Sequence, residues 1–298
     1  MSTSRSQRTP TLGDRLSGRR VGVVLSAGYF GFYGHAGFVE GLDEAGVRPA
    51  AWAGTSAGGM VAAFAAAGLP PRAITALVLS QRRDDFWDPD YLGIAVDAVR
   101  RGHRPSGLLK GERFRALLQR HLPVADFAAL PTPLLLVATC LTTQAPHLMT
   151  EGELASAVHA TCAYPGLFQA VRRGGSLLWD GGIVDKAPAV ALADSRAGAA
   201  LDVLLVHHLP SRDGAAEPGG PLAYPAGVAA GFAAIRREHL RLQLALLEAR
   251  GVEVHLVSAH LPPVSPSTMA EGPTAVAAGR RGALAALAAP ATAWRDAL

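Results

Sequence analysis

The sequence is poor in several things, and each shortage excludes something. Its 298 residues include only two cysteines, Cys140 and Cys162, both in apolar surroundings. A disulfide framework is therefore not expected, and two buried thiols in a reducing compartment fit better. No stretch of about 18 or more uninterrupted apolar residues occurs, so no membrane-spanning helix is expected. The first twenty residues are rich in Ser, Thr and Arg and lack the apolar run of a secretory signal. They read as a flexible polar arm (1–20) ahead of one domain (21–298), in a cytoplasmic setting. Charged residues make up 17% of the chain, with a formal net charge of +4. The basic residues are scattered and no basic-aromatic motif accompanies them, so a nucleic-acid partner is not expected. The small excess suits peripheral contact with an anionic membrane surface.

Cofactor signatures are missing as well. There is no His-Glu-x-x-His, no Cys-x-x-Cys and no acidic calcium loop, and His207 and His208, adjacent on a strand, point in opposite directions. No metal is expected. The phosphate loop G-x-x-x-x-G-K-S/T does not occur, and the first glycine turn (Gly28, Gly31, Gly34) has G-x-x-G-x-x-G spacing. The strand after it ends in a serine, where a dinucleotide fold would place a ribose-binding acid. No cofactor is expected.

What the sequence does hold is 49% apolar residues, enough for a large core. The pattern predicts buried strands at 21–25, 49–53, 134–138, 177–179, 203–206 and 252–257, with helices at about 35–45, 59–67, 70–81, 111–121, 154–162, 228–249 and 274–288. A strand, glycine turn, helix, strand opening implies a parallel sheet with right-handed crossovers. The fold class is thus α/β, a three-layer α/β/α arrangement around a mostly parallel sheet. Residues 82–107 read as irregular, either a surface loop pinned by Phe86 and Trp87 or part of a lid or lipid-facing rim. Residues 209–225 read as a Pro/Gly-rich connector.

Gly54-Thr55-Ser56-Ala57-Gly58 stands between a predicted strand and a predicted helix. This is the context of a nucleophile elbow, in which Gly54 and Gly58 admit a sharp turn and the Ser56 hydroxyl stands ahead of a helix N-terminus. A serine nucleophile needs a base and oxyanion donors. Asp180, at a strand end and followed by Gly181 and Gly182, is a candidate base, although Asp-Gly is also a common turn pair. His207, His208, His255 and His260 are further candidates, and the order Ser56, Asp180, His207 or His208 matches that of α/β-hydrolases. His35 reads as a packing or capping group.

The Ser56 pentapeptide, Ala163-Tyr164-Pro165-Gly166-Leu167-Phe168 and Asp180-Gly181-Gly182-Ile183-Val184-Asp185-Lys186-Ala187-Pro188, in that order, resemble the patatin-like phospholipase family. Residues 107–111 and 133–139 resemble that family's middle segments. The resemblance implies a Ser56–Asp180 dyad without histidine, with Asp180 as direct base, an acyl-enzyme intermediate and a lipid acyl ester as substrate. It also implies an oxyanion hole from the main chain after the first strand, here Gly28, Tyr29 and Phe30. The family's loop there reads G-G-G-x-R/K-G, whereas this chain has Ala27-Gly28-Tyr29-Phe30-Gly31-Phe32, with Gly31 in place of the basic residue. The departure motivates a rival reading, a catalytically impaired relative that binds lipid or a partner protein. Tyr29, Phe30, Phe32 and Tyr33 read either as lining of an acyl groove or as packing residues.

Overall fold

The computed structural model describes residues 9–99, 107–210 and 223–298. Residues 211–222 of the expected connector, 100–106 of the segment expected to be irregular and 1–8 of the expected arm lie outside the described residues. The chain runs α1 (Leu12–Leu16), β1 (Val21–Leu25), α2 (Phe32–Glu44), β2 (Pro49–Thr55), α3 (Ala57–Ala66), α4 (Pro71–Ser80), α5 (Arg83–Phe86) and α6 (Tyr91–Val99). It continues through β3 (Gly107–Leu109), α7 (Glu112–His121), β4 (Leu134–Cys140), β5 (Ala145–Met149), α8 (Leu154–Thr161), β6 (Gly166–Phe168) and β7 (Val171–Arg173). The remainder is β8 (Ser176–Asp180), α9 (Ala189–Ala193), β9 (Val203–His208), α10 (Ala223–Ala249), β10 (Val254–Ser258) and α11 (Gly272–Ala288).

The main sheet has the order β10-β9-β1-β2-β4-β8-β7, with β5 also paired to β4. From β10 to β4 all pairings are parallel, and β5, β8 and β7 join antiparallel. Strand alternation divides the core in two. Val23, Leu25, Trp52, Leu134, Leu136 and Leu205 pack with α2, α3, α4, α8 and α11. Val24, Ala51, Ala53, Leu135, Val137 and Leu204 pack with α9 and α10. The result is the expected three-layer α/β/α fold.

Three sequence expectations change. Leu12–Leu16 of the expected arm form a helix, because Thr11 and Asp14 form a capping box and Leu12 and Leu16 are buried. Leu12 N–H also donates to the Ala289 carbonyl. Residues 82–99 hold two helices, α5 and α6. Phe86 and Trp87 pin the segment to Leu109, Ala163 and Phe168, while Asp88 caps α7 by accepting from Gly111 N–H and Arg113 N–H. The short strands β5 and β7 carry too few alternating positions to stand out in the sequence.

Helices α2 and α11 approach closely because glycines line their contact. A Cβ on Gly37 would lie 2.0 Å from the Val276 carbonyl oxygen, and one on Gly279 would lie 2.1 Å from that of Gly34. Gly37→Ala is expected to cost about 2–3 kcal/mol in urea unfolding, because backbone must move. Gly231→Ala on α10, where nothing stands within 4 Å, is expected to stabilise by about 0.5–1 kcal/mol. Equal responses of the two variants would show that the α2–α11 approach is not constrained by these glycines.

Candidate active site

Only Ser56 separates β2 from α3, so it makes the whole turn. Its backbone sits at φ 55°, ψ −128°, a left-handed conformation that costs a residue with a side chain about 1–3 kcal/mol. The glycines beside it are there for backbone approach. A Cβ on Gly58 would lie 2.3 Å from the Leu25 carbonyl oxygen, and one on Gly54 would lie 2.7 Å from Gly59 N. Ser56 N–H donates to Thr161 Oγ1 at 3.0 Å, and the Thr161 hydroxyl donates to the Val137 carbonyl. Thr161 thus fixes the turn from α8. Nothing in the sequence singles it out, since a hydroxyl in a small-residue helix is common.

Asp180 ends β8 and pairs with Ala138 on β4, next to Val137, which pairs with Thr55. Two strands on either side of β4 therefore deliver Ser56 and Asp180 to one place. Ser56 Oγ donates to Asp180 Oδ2 at 2.6 Å. The other carboxylate oxygen accepts from Gly182 N–H at 2.7 Å. The main chain of Asp180 is tied down too: its N–H donates to Ala163 O at 2.9 Å, and Thr139 Oγ1 donates to its carbonyl at 2.8 Å. Gly181 passes so near β4 that a Cβ would lie 2.1 Å from the Val137 carbonyl oxygen. Burial raises the Asp180 pKa from 3.8 to about 6, against the opposing pull of the Ser56 and Gly182 hydrogen bonds and of the Arg236 charge on α10.

The segment after β1 begins with Ala27 N–H donating to the Lys186 carbonyl at 2.7 Å. Gly31 N–H closes a tight turn on the Gly28 carbonyl at 2.9 Å, and Phe30 takes φ 51°. The floor of this turn is Leu209. A Cβ on Gly28 would lie 2.9 Å from Leu209 Cδ1, and one on Gly31 would lie 2.5 Å from it. A Cβ on Gly31 would also lie 3.0 Å from the Gly28 carbonyl oxygen, so the turn itself leaves little room at residue 31. The four aromatics divide. Tyr33 is buried as a packing residue, whereas Tyr29 is 60% exposed and meets Tyr164 at 6.3 Å between ring centroids. Phe30 touches Phe32 at 5.4 Å and Phe86 at 6.5 Å, joining the turn to the α5 segment.

The histidine candidates lie elsewhere. His207 sits on β9, its ring 2.9 Å from that of His35 and stacked on Phe38. His208 Nδ1 is 3.3 Å from Ser258 Oγ, His255 meets Glu253, and His260 is exposed. Among the described residues, no histidine is hydrogen-bonded to Ser56 or Asp180. Cys140 and Cys162 are free thiols.

Comparisons with known proteins bear on the chain as a whole. Residues 23–193 match the model of the patatin-like phospholipase family. An uncharacterized NTE family protein of Mycobacterium tuberculosis is 31% identical over 188 residues, 62% of this chain and 30% of that protein. A second one from the same organism is 31% identical over 191 residues, 63% of this chain and 50% of that protein. The chain thus spans half or less of the length of these curated relatives. Among solved structures it is similar to VipD from Legionella pneumophila, with TM-score 0.47 and 15% identity over 96% of this chain and 72% of that one. Human GIVD cytosolic phospholipase A2 gives TM-score 0.39 and 13% identity over 83% of this chain and 44% of that one.

The buried carboxylate has a measurable consequence for stability. The folded pKa lies above the ordinary 3.8, so between these values the folded chain binds more protons than the unfolded one. Stability from this group therefore falls as pH rises from about 4 to 6 and stays reduced above. Asp180→Asn is expected to melt higher than wild type at pH 8, with the gap closing toward pH 4. A gap independent of pH would show that the Asp180 carboxylate carries no such penalty.

Proposed function

This chain belongs to the patatin-like phospholipase family, and from that premise we propose that it is a serine hydrolase of lipid acyl esters working through Ser56 and Asp180. The observation that carries the reading is the 2.6 Å bond from Ser56 Oγ to a carboxylate whose burial raises its pKa to about 6. A carboxylate of ordinary acidity is a poor base for a hydroxyl, and burial brings it nearer the working pH.

In the proposed reaction Ser56 Oγ attacks the acyl carbonyl carbon while its proton passes to Asp180 Oδ2. The tetrahedral oxyanion collapses, the carbon–oxygen bond to the alcohol breaks, and Asp180 returns the proton to the leaving oxygen. Water then attacks the acyl-serine, giving a proton to Asp180; the bond from the acyl carbon to Ser56 Oγ breaks, Asp180 returns that proton to Ser56 Oγ, and the free acid leaves. Main-chain N–H groups of Gly28, Tyr29 and Phe30, with that of Ala57 at the start of α3, are the oxyanion donors in this reading. The tight turn at Gly28–Gly31 supports a defined direction for them, despite the departure from the family's loop. Exposed Tyr29 and Tyr164, with Tyr91 and Leu92 on α6, support a lipid-facing rim and peripheral membrane contact. Among the described residues, no helix is long and apolar enough to cross a membrane.

The test uses a p-nitrophenyl ester series and a fluorophosphonate probe. Ser56→Ala and Asp180→Asn are each expected to lower kcat/KM by about 10⁴-fold with circular dichroism unchanged. The probe is expected to label wild type and not Ser56→Ala. Activity surviving either substitution removes the dyad, and a folded wild type that neither turns over nor labels favours the impaired lipid- or partner-binding reading. A separate expectation concerns pH: kcat/KM rises tenfold per unit below about pH 6 and levels above it, as Asp180 ionises. A profile flat from pH 5 to 8 would exclude Asp180 as the base.

A further inference from the structure

Two buried histidines take no part in the chemistry above. His35, in the first turn of α2, and His207, near the end of β9, are fully shielded from solvent. Their Nδ1 atoms stand 2.9 Å apart, which requires one to carry a proton and the other to be bare. His35 Nε2 is 2.8 Å from the Ser26 carbonyl oxygen. That oxygen only accepts, so His35 carries its proton at Nε2 and is bare at Nδ1. His207 Nδ1–H is then the donor, and His207 Nε2 is left as a bare acceptor. That nitrogen is indeed without a partner among the described residues. Phe38, stacked on His207 with centroids 3.9 Å apart and planes 8° apart, fixes the ring. Burial above all holds both rings neutral: it brings His35 down to about 3, against the Ser26 hydrogen bond and with the help of the Lys186 charge, and lowers His207 well below its ordinary value, with His35 and His208 opposing a second proton there.

His35 also grips the chain a second time. Its main-chain N–H donates to the Gly31 carbonyl at 3.0 Å. The two carbonyls it holds, Ser26 and Gly31, bracket the segment Ala27–Phe30. The end of β9 completes the anchorage: Ser26 N–H donates to the His207 carbonyl at 3.1 Å, and Leu209 N–H donates to Ser26 Oγ at 2.9 Å.

We propose that His35 is a positioning residue for the oxyanion-binding turn: held in one tautomer by His207, it fixes the Ser26 carbonyl and so the direction of the Gly28, Tyr29 and Phe30 N–H groups. This rests on the hydrolase reading above for its catalytic effect, but the clamp itself has a readout independent of turnover. A histidine that merely fills space would be replaced equally well by leucine or glutamine, whereas a clamp needs the donor to Ser26, which the glutamine amide supplies.

The experiment compares wild type, His35→Leu, His35→Gln and His207→Phe in the full chain. It measures kcat and KM on a p-nitrophenyl ester, amide hydrogen exchange over residues 26–31, and thermal melting. His35→Leu is expected to lower kcat about 10- to 100-fold with KM within about threefold, because misdirected donors act on the transition state alone. It is also expected to speed exchange at Gly28–Phe30. His35→Gln is expected to restore kcat to within about threefold of wild type and to restore protection. His207→Phe, which keeps the stack on Phe38 but removes the donor, is expected to fall between. Leu and Gln variants equal in kcat and in exchange, or a loss confined to KM, would overturn the proposal. If wild type shows no Ser56-dependent turnover, the hydrolase reading fails, and unequal exchange in the Leu and Gln variants still decides for the clamp. If His35→Leu does not fold, protection in His35→Gln at the wild-type level and faster exchange in His207→Phe support it, and the reverse overturns it.

Discussion

A buried carboxylate bonded to a serine hydroxyl is the constraint on which the rest of this structure depends. Asp180 is 3% exposed, and an ionised group there is unfavourable unless its oxygens are hydrogen-bonded. The fold meets that demand with local backbone, since Gly182 N–H serves one oxygen and Ser56 Oγ the other. The main chain of Asp180, donating to the Ala163 carbonyl and accepting from the Thr139 hydroxyl, holds the strand end still. The remaining penalty is what raises the pKa and makes the group a better base. The same burial thus weakens the fold and suits the proposed chemistry.

Close backbone approach is the second recurring theme, and it explains the glycines near the site. Gly58 lets α3 start against the end of β1, Gly181 lets the chain leave β8 across β4, and Gly31 lets the turn after β1 rest on Leu209. At Gly58 and Gly181 it is backbone that occupies the space a Cβ would need, whereas at Gly31 it is the methyl tip of buried Leu209 together with the Gly28 carbonyl oxygen.

The two flanks of the molecule's central turns are held by different means. The Ser56 turn is fixed from α8 by a polar contact, the Thr161 hydroxyl, which accepts from Ser56 N–H and donates to the Val137 carbonyl of β4. The turn after β1 is held by ring contacts instead: Tyr29 meets Tyr164 and Phe30 meets Phe86, with Tyr29 and Tyr164 open to solvent.

Residues near one another in sequence fixed the local features, since those obey short-range rules. Alternating apolar strands, the Ser56 turn flanked by Gly54 and Gly58, and Asp180 before two glycines are all readable from a few neighbours. The order of these segments also carried the family resemblance. Only the tertiary structure decided how they serve one another. Ser56 and Thr161 meet across β4, His35 and His207 pair from α2 and β9, and Leu209 supports Gly28 and Gly31; these partners are joined by burial and register over more than a hundred residues. The histidines show the difference most plainly. Their order in the sequence fits a Ser-His-Asp arrangement, but β9 lies on the far side of β1 from β2, and burial gives His207 to His35, leaving Ser56 with Asp180 alone.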